Sequence, residues 1–232
     1  MFKKLLAAIQ GGLAAAGAVA AVPSYQPYPE AAPANEFYAL LFCDDLAAFQ
    51  PRAGTPPADW QTLLFSPAPD PAKITALAQA AGTESRVRAL AFRWLQGHGQ
   101  EVPKGLVLGL VIEVPVGKGL DVLAAYADGS VRYINQSGKL AIIEAGALAD
   151  ANAEAKQLIG LAQPLVARIG PWDKARLPPP STPNLRLTFV VSDGLYFGQG
   201  PFQAMQQDAM AGPLIQKGTQ LLQRVVARAL SE

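Results

Sequence analysis

A run of apolar segments separated only by tight turns, between residues 106 and 145, constrains the fold of this chain more than any other feature. LVLGLVIEVPV is followed by Gly117-Lys118-Gly119, and Asp128-Gly129 separates LAAYA from SVRYIN. Asp-Gly favours a two-residue type I′ turn, in which both residues have a positive φ. A further turn at Gln136-Ser137-Gly138 leads into KLAIIEA. Because connections this short join neighbouring antiparallel strands, the sequence predicts a meander of four strands.

The segments on either side of the meander predict helices and one further hairpin. The helices show apolar residues at helical spacing, and several begin at capping residues or at proline. The hairpin consists of LRLTFVV and LYFGQG around Ser192-Asp193-Gly194. The predicted helices run from Asn35 to near Pro51, from Asp70-Pro71 to about Ala80, from Thr83 to Gln96, from about Ala147 to Ile169, and from Pro213 to Ala229.

This order of elements predicts an α+β fold. We expect an antiparallel sheet of about six strands with helices on one face and a helical N-terminal third, because a doubly wound parallel sheet needs a crossover after nearly every strand. Hydrophobic residues make up 50% of the chain and charged residues 16%, a globular composition. The predicted organisation is a leader and proline-rich linker over residues 1–34 and a single domain over 35–232, mainly helical to residue 100 and sheet plus two helices from 101.

The N-terminal residues allow two interpretations. Lys3 and Lys4 precede an apolar stretch, and Ala18-Val19-Ala20 matches the small-residue pattern that signal peptidase cleaves. Gln10 and Gly11-Gly12 interrupt the stretch, which favours a cytoplasmic protein over an exported one, periplasmic or secreted. In either case the stretch is too short and too weakly apolar to predict a stable membrane span.

Composition argues against several classes of function. The formal charge is +1, from 19 basic and 18 acidic residues without a basic cluster, so we expect no nucleic-acid partner. One cysteine and one histidine provide neither a disulfide nor a zinc site. Gly117-Lys118-Gly119 lacks the phosphate-loop pattern, and the chain has no Gly-x-Ser-x-Gly motif. We therefore expect no cofactor and no metal.

The short motif Cys43-Asp44-Asp45 resembles a reactive centre but predicts a structural role. On the predicted helix Asp44 faces solvent, and the adjacent Asp45 cannot share a proton or a metal with it. The two carboxylates also raise the pKa of Cys43, which opposes thiolate formation. We expect Cys43 to lie at the edge of the core.

Three isolated residues are the candidates for catalysis. Glu113 lies in an apolar strand, where it is either a buried general acid with a raised pKa or, as the nearby Pro115 favours, an edge residue in water. His98 follows Gly97 at a predicted helix end, where a proton-transfer role competes with simple capping. Asp193 lies in the predicted turn of the second hairpin.

A glycine- and aromatic-rich segment near the C-terminus is the candidate for binding. Flexible glycines beside aromatic and methionine side chains make an adaptable contact surface, although the same side chains also suit the core beneath the last helix. The candidate binding residues are Tyr196, Phe197, Phe202, Met205 and Met210.

These observations leave two functional hypotheses. The first is a non-catalytic binding or accessory protein that contacts another protein or a small ligand. The second is a hydrolase or transferase that uses Glu113 and Asp193, with His98, without any local motif. Convergence of these three side chains in one cleft is the feature that distinguishes the second hypothesis.

Overall fold

The computed structural model describes residues 25–229, so the predicted cleavage pattern at Ala18-Val19-Ala20 lies outside the described residues. Within this range the chain forms seven α-helices and six strands. The helices are α1 (Ala32–Leu40), α2 (Asp59–Leu64), α3 (Pro71–Gln79), α4 (Ser85–Gly97), α5 (Ala149–Val166), α6 (Phe202–Gln207) and α7 (Ala211–Ala229). The strands are β1 (Val107–Val116), β2 (Gly119–Tyr126), β3 (Val131–Ile134), β4 (Leu140–Ile143), β5 (Asn184–Val191) and β6 (Gly194–Pro201).

The predicted antiparallel sheet and meander are confirmed. All six strands form one sheet in the order β4-β3-β2-β1-β5-β6, and every neighbouring pair is antiparallel. β1 is the strand at which the two hairpin systems join, since it pairs with β2 on one side and with β5 on the other. β4 and β6 are the two edges of the sheet.

The turn between β2 and β3 differs in type from the prediction. Gly129 has a φ of 95°, but Asp128 does not have the positive φ that a type I′ turn requires at both positions. Tyr126 N–H donates to the Ser130 carbonyl, which closes a three-residue loop with glycine in the left-handed position. The Asp128 carboxylate accepts hydrogen bonds from the Ser130 N–H and hydroxyl, and this side-chain pairing favours the longer loop.

Helices cover both faces of the sheet, whereas the sequence predicted them on one. Leu110 and Ile112 of β1 pack toward α5 and α7, while Leu108 and Val111 pack toward the N-terminal helices. The central strands are apolar on both faces, so each face must be covered to exclude water. The result is a three-layer α/β/α arrangement within an α+β fold.

The first helix is shorter than predicted over residues 35–51. It ends at Leu40, and Cys43 has a φ of 51°, a left-handed conformation that does not occur inside an α-helix. The chain turns inward at this point, so Asp44 is only 7% exposed. The prediction that Asp44 faces solvent is therefore wrong.

Part of the segment that the sequence assigned to a linker packs against the sheet. Tyr28 is 2% exposed, and its hydroxyl donates to the Leu120 carbonyl at 2.9 Å. The Asn35 side chain binds both the N–H and the carbonyl of Tyr28 instead of capping a helix. The predicted cap at Asp70 is confirmed, since its carboxylate accepts from the N–H groups of Ala72 and Lys73.

We predict that Gly218→Val lowers the free energy of unfolding by about 1 to 3 kcal/mol, because a larger side chain collides with β1 and overpacking costs that amount. A Cβ at Gly218 would lie 2.5 Å from Cδ1 of Ile112, where α7 approaches β1. Gly160→Ala in α5 is the matched control, because a Cβ there meets nothing within 4 Å. The control should instead stabilise the protein by about 0.5 to 1 kcal/mol in urea unfolding. Equal effects of the two substitutions would contradict this packing.

Candidate functional site

Glu113 lies in the interior of the sheet and not at its edge in water. It is 0% exposed, and its strand, β1, has neighbours on both sides. Pro115 does not mark a sheet edge here, because it lies near the end of the strand beside the turn to β2. The expectation that Glu113 is an edge residue in water is therefore wrong, and the alternative of a buried carboxyl is correct.

Groups from three parts of the chain meet at Glu113. The Tyr38 hydroxyl, on α1, donates to Oε1 of Glu113 at 2.7 Å, and Nη1 of Arg186, on β5, lies 3.8 Å from Oε2. Oε2 accepts no hydrogen bond from a described residue. Burial raises the pKa of the Glu113 carboxyl above its ordinary value, although Arg186 and the Tyr38 hydroxyl oppose the shift.

A second buried ion pair lies beside this cluster. Nε of Arg176 donates to Oδ2 of Asp44 at 2.7 Å, and both side chains are less than a tenth exposed. The Arg176 guanidinium also lies 4.0 Å from the centroid of the Phe42 ring, a cation–π contact. This pair fastens the turn after α1 to the loop between α5 and β5.

Cys43 is buried at 3% exposure, and burial raises the pKa of its thiol to about 12. A thiol with that pKa is protonated at neutral pH, and the thiolate is the form that reacts. This environment agrees with the expected structural role, although the residue lies inside the core and not at its edge.

The cavities beside Glu113 and the Asp44–Arg176 pair, which together form a buried polar cluster, are too small to hold a substrate. The cavities on its two sides each hold about 10 Å³, one lined by Asp44 and the other by Arg176 and Arg186. A cavity of this volume accommodates about one water molecule. Arg186 also donates to the Leu177 and Pro178 carbonyls, so the cluster holds the covering loop against the sheet.

The three catalytic candidates do not share a cleft. Asp193 lies seven residues beyond Arg186, the residue paired with Glu113, which places it about 20 Å away at about 3.3 Å per residue. Its carboxylate accepts from the Gly105 N–H and the Tyr196 hydroxyl. His98 caps the end of α4, stacked on the Trp94 ring at a centroid distance of 3.7 Å. Each of the three side chains thus has its own set of partners.

The five binding candidates lie on two sides of the sheet. Tyr196 is 4% exposed in the core under α5 and α7, and Phe202 and Met205 pack against the same core. Phe197 instead contacts the Trp172 ring on the opposite face, at a centroid distance of 4.8 Å. Met210 is half-buried just before α7. The structure does not place these side chains on one continuous surface.

A groove of ligand size lies where the β1–β2 and β3–β4 turns face the segment before α1. It encloses about 540 Å³, within the range of about 300 to 1,000 Å³ typical of binding pockets. Polar and apolar groups line it, among them Tyr28, Glu30, Val116, Lys118, Gln136 and Ser137. The groove therefore adjoins the turn that leads into β4.

β4 is a sheet edge with exposed aliphatic side chains. Leu140 is 42% exposed and Ile142 is 50% exposed, both on the face that α1 partly covers. We call the outer side of Leu140–Ile143, with these two side chains, the open edge. Large aliphatic side chains next to each other on an edge strand are typical of an interaction surface.

The main chain of the open edge is available for pairing. The Asn135 N–H donates to the Lys139 carbonyl at 2.9 Å, so residue 139 directs its backbone toward β3. Backbone direction alternates along a strand, so Leu140 and Ile142 direct their N–H and C=O groups away from the sheet. No described residue hydrogen-bonds to these groups.

The opposite edge, β6, is partly covered. The Trp172 N–H donates to the Leu195 carbonyl at 2.7 Å, which places the loop after α5 along this strand. Gly198, Gly200 and Pro201 further weaken β6 as a template for another strand. The two edges of the sheet thus differ, and β4 is the one left open by the described residues.

No protein-family model, curated protein or solved structure matches this chain. Residues 25–229 contain no group of three or more His, Cys, Asp or Glu side chains placed to hold a metal ion. No α-helix in the same range is long and apolar enough to cross a bilayer.

Sequence reasoning missed the open edge and the three buried arginine side chains, Arg132, Arg176 and Arg186. Arg186 lies within LRLTFVV, where a charge in an apolar strand is a signal that a partner of opposite charge must be buried beside it. That signal, applied together with Glu113, would have found the ion pair. Arg176 lies in a proline-rich loop without any such pattern.

We predict that Glu113→Gln becomes increasingly stable relative to the native protein as the pH rises from 4 to 8. A carboxyl with a raised pKa contributes stability at low pH and loses it as the pH rises through the folded-state pKa, whereas the amide does not titrate. Urea unfolding across this range measures the difference, and because Asp44 titrates in both proteins the difference isolates Glu113. If the free energy of unfolding of Glu113→Gln minus that of the native protein instead falls as the pH rises, Glu113 is stabilised as the anion.

We predict that Asp44→Ala lowers the free energy of unfolding by about 3 to 5 kcal/mol, because it leaves buried Arg176 without its counter-charge. Asp45→Ala is the matched control, since Asp45 only accepts a hydrogen bond from the Ala47 N–H at the surface. The control should cost about 0.5 to 1.5 kcal/mol, the usual contribution of one hydrogen bond. Similar losses for the two neighbouring aspartates would refute the buried ion pair.

Proposed function

We propose that this protein is a non-catalytic binding protein that pairs its open edge with an extended strand of a partner polypeptide. The availability of the Leu140 and Ile142 backbone beside exposed aliphatic side chains carries this proposal. In such strand addition, main-chain hydrogen bonds provide affinity and alternate side chains provide specificity. The partner strand is apolar at every second residue, because those side chains contact Leu140 and Ile142.

The composition of β4 supports this role. Proteins normally protect an edge strand by keeping it short, by covering it, or with proline, a bulge or a charge. β4 is short, at four residues, but its sequence Leu-Ala-Ile-Ile contains no proline and no charge, and its nearest charges, Lys139 and Glu144, flank it. The Glu144 carboxylate is held by the Arg132 guanidinium in two hydrogen bonds of 3.0 and 2.8 Å.

The groove extends the same surface. A strand antiparallel to β4 that continues past Gly138 reaches the turn at Gln136 and Ser137, which lines the groove. Tyr28 and Val116 offer apolar contact there, and Lys118 offers a positive charge. The groove thus provides room for side chains at the C-terminal end of the partner strand.

The alternative activity, a hydrolase or transferase built on Glu113, Asp193 and His98, has no comparable observation in its favour. The three side chains have separate partners, and the small cavities lined by Asp44 and by Arg186, the partner of Glu113, hold about one water each. A general acid needs hydrogen-bond reach to its substrate, which the closed cluster does not offer.

A photo-crosslinking amino acid at position 142 tests the proposal in cells that produce the full chain. We expect a discrete adduct whose crosslinked peptide, identified by mass spectrometry, has alternating apolar residues. Position 161 is the matched control, because Leu161 is similarly exposed, at 44%, but lies on α5. Absence of an adduct at 142, or the same adducts at both positions, would overturn the proposal.

A further inference from the structure

We infer that the strand that pairs with the open edge is β4 of a second copy of this chain, in a two-fold symmetric dimer. This inference rests on the proposed function, since it names the partner of the same surface. Its basis is that β4 is complementary to itself in its backbone and its exposed side chains, and that this pairing opposes no like charges.

Symmetry and strand geometry restrict the possible registers. A two-fold axis between two copies of one edge strand relates them in antiparallel orientation. Residues directly opposite each other across a sheet lie on the same face, because side chains alternate along each strand. Leu140 can therefore face Leu140, Ile142 or Glu144 of the second copy, but neither Ala141 nor Ile143.

One of these registers uses the whole open edge. With Ala141 on the two-fold axis, Leu140 faces Ile142 of the second copy, and Ile142 faces its Leu140. These are the residues whose N–H and C=O groups point outward, so each of the two pairs exchanges two hydrogen bonds. Centring on residue 140 or 142 instead moves half of this pairing beyond the ends of β4.

The side chains also fit this register. Leu140 and Ile142, exposed at 42% and 50%, become cross-strand partners on one face and bury each other. On the opposite face Ala141 meets Ala141, whose small side chains allow close approach under α7. Lys139 faces Ile143 of the second copy and Glu144 faces its Gly138, so no like charges are opposed.

The size of the contact predicts a weak dimer. A stable interface buries about 1,200 to 2,000 Å² in total, more than a four-residue strand and its flanking turn provide. We therefore expect weak association, so that monomer and dimer exchange within an accessible concentration range.

Sedimentation equilibrium of the full chain from 1 µM to 1 mM tests the dimer. We expect a monomer–dimer equilibrium that Ile142→Lys weakens at least about tenfold, because each introduced lysine would place its charge against Leu140 of the second copy. Leu161→Lys is the matched control, a change of the same type at a similarly exposed position, and should leave the equilibrium unchanged. A chain that stays monomeric at 1 mM, or a dimer that both variants weaken equally, overturns the inference.

Disulfide trapping tests the register. Ala141→Cys places two thiols across the axis, in a non-hydrogen-bonded pair with Cα atoms about 4.5 Å apart, which a disulfide can bridge. Ile142→Cys is the control, because residue 142 faces residue 140 of the second copy and not itself. We expect rapid oxidative dimerisation of the first variant only. Native Cys43 is buried and does not contribute. Faster trapping of the second variant overturns the register.

The inference and the proposed function fail in different ways. A monomeric chain whose position 142 crosslinks to a strand of a different protein overturns the dimer and leaves the proposed function intact. A monomeric chain without any specific adduct at position 142 overturns both.

Discussion

The burial of Glu113 in the central strand is the constraint on which much of this structure depends. A carboxyl group with no exposure must have polar partners at the same depth, and these come from distant parts of the chain, Tyr38 on α1 and Arg186 on β5. Arg186 in turn binds the Leu177 and Pro178 carbonyls and so holds the loop that covers this face. One buried carboxyl group thus connects the N-terminal layer, the sheet and the loop between α5 and β5.

This closure determines where the molecule can interact. Helices cover both sheet faces, and the loop after α5 hydrogen-bonds along β6 through Trp172. Among residues 25–229, β4 is the sheet edge whose outward main chain has no hydrogen bond from another segment, and it lies next to the groove. The function that we propose therefore follows from the arrangement of layers and not from a reactive group.

The sequence predicted the strands and turns better than the burial and the partners of individual residues. Tight turns and apolar runs are local signals, so the meander and the second hairpin could be predicted from Gly117, Gly129 and Gly194 with the strands that they join. The burial of Asp44 could not, because it depends on the left-handed turn at Cys43 and on Arg176, which lies 132 positions away. The open edge also depends on register, since only the pairing of β3 with β4 decides which backbone groups of Leu140 and Ile142 point outward.

Hydrogen exchange of the four backbone amides of β4, followed residue by residue at increasing protein concentration, tests the central claim most directly. The account predicts an alternation in dilute solution, with fast exchange at Leu140 and Ile142 and slow exchange at Ala141 and Ile143, which face β3. As the concentration rises, the fast pair should slow while the other pair stays unchanged. Amides of Leu140 and Ile142 that exchange slowly at every concentration would contradict the account, because the edge would then be occupied within the single chain.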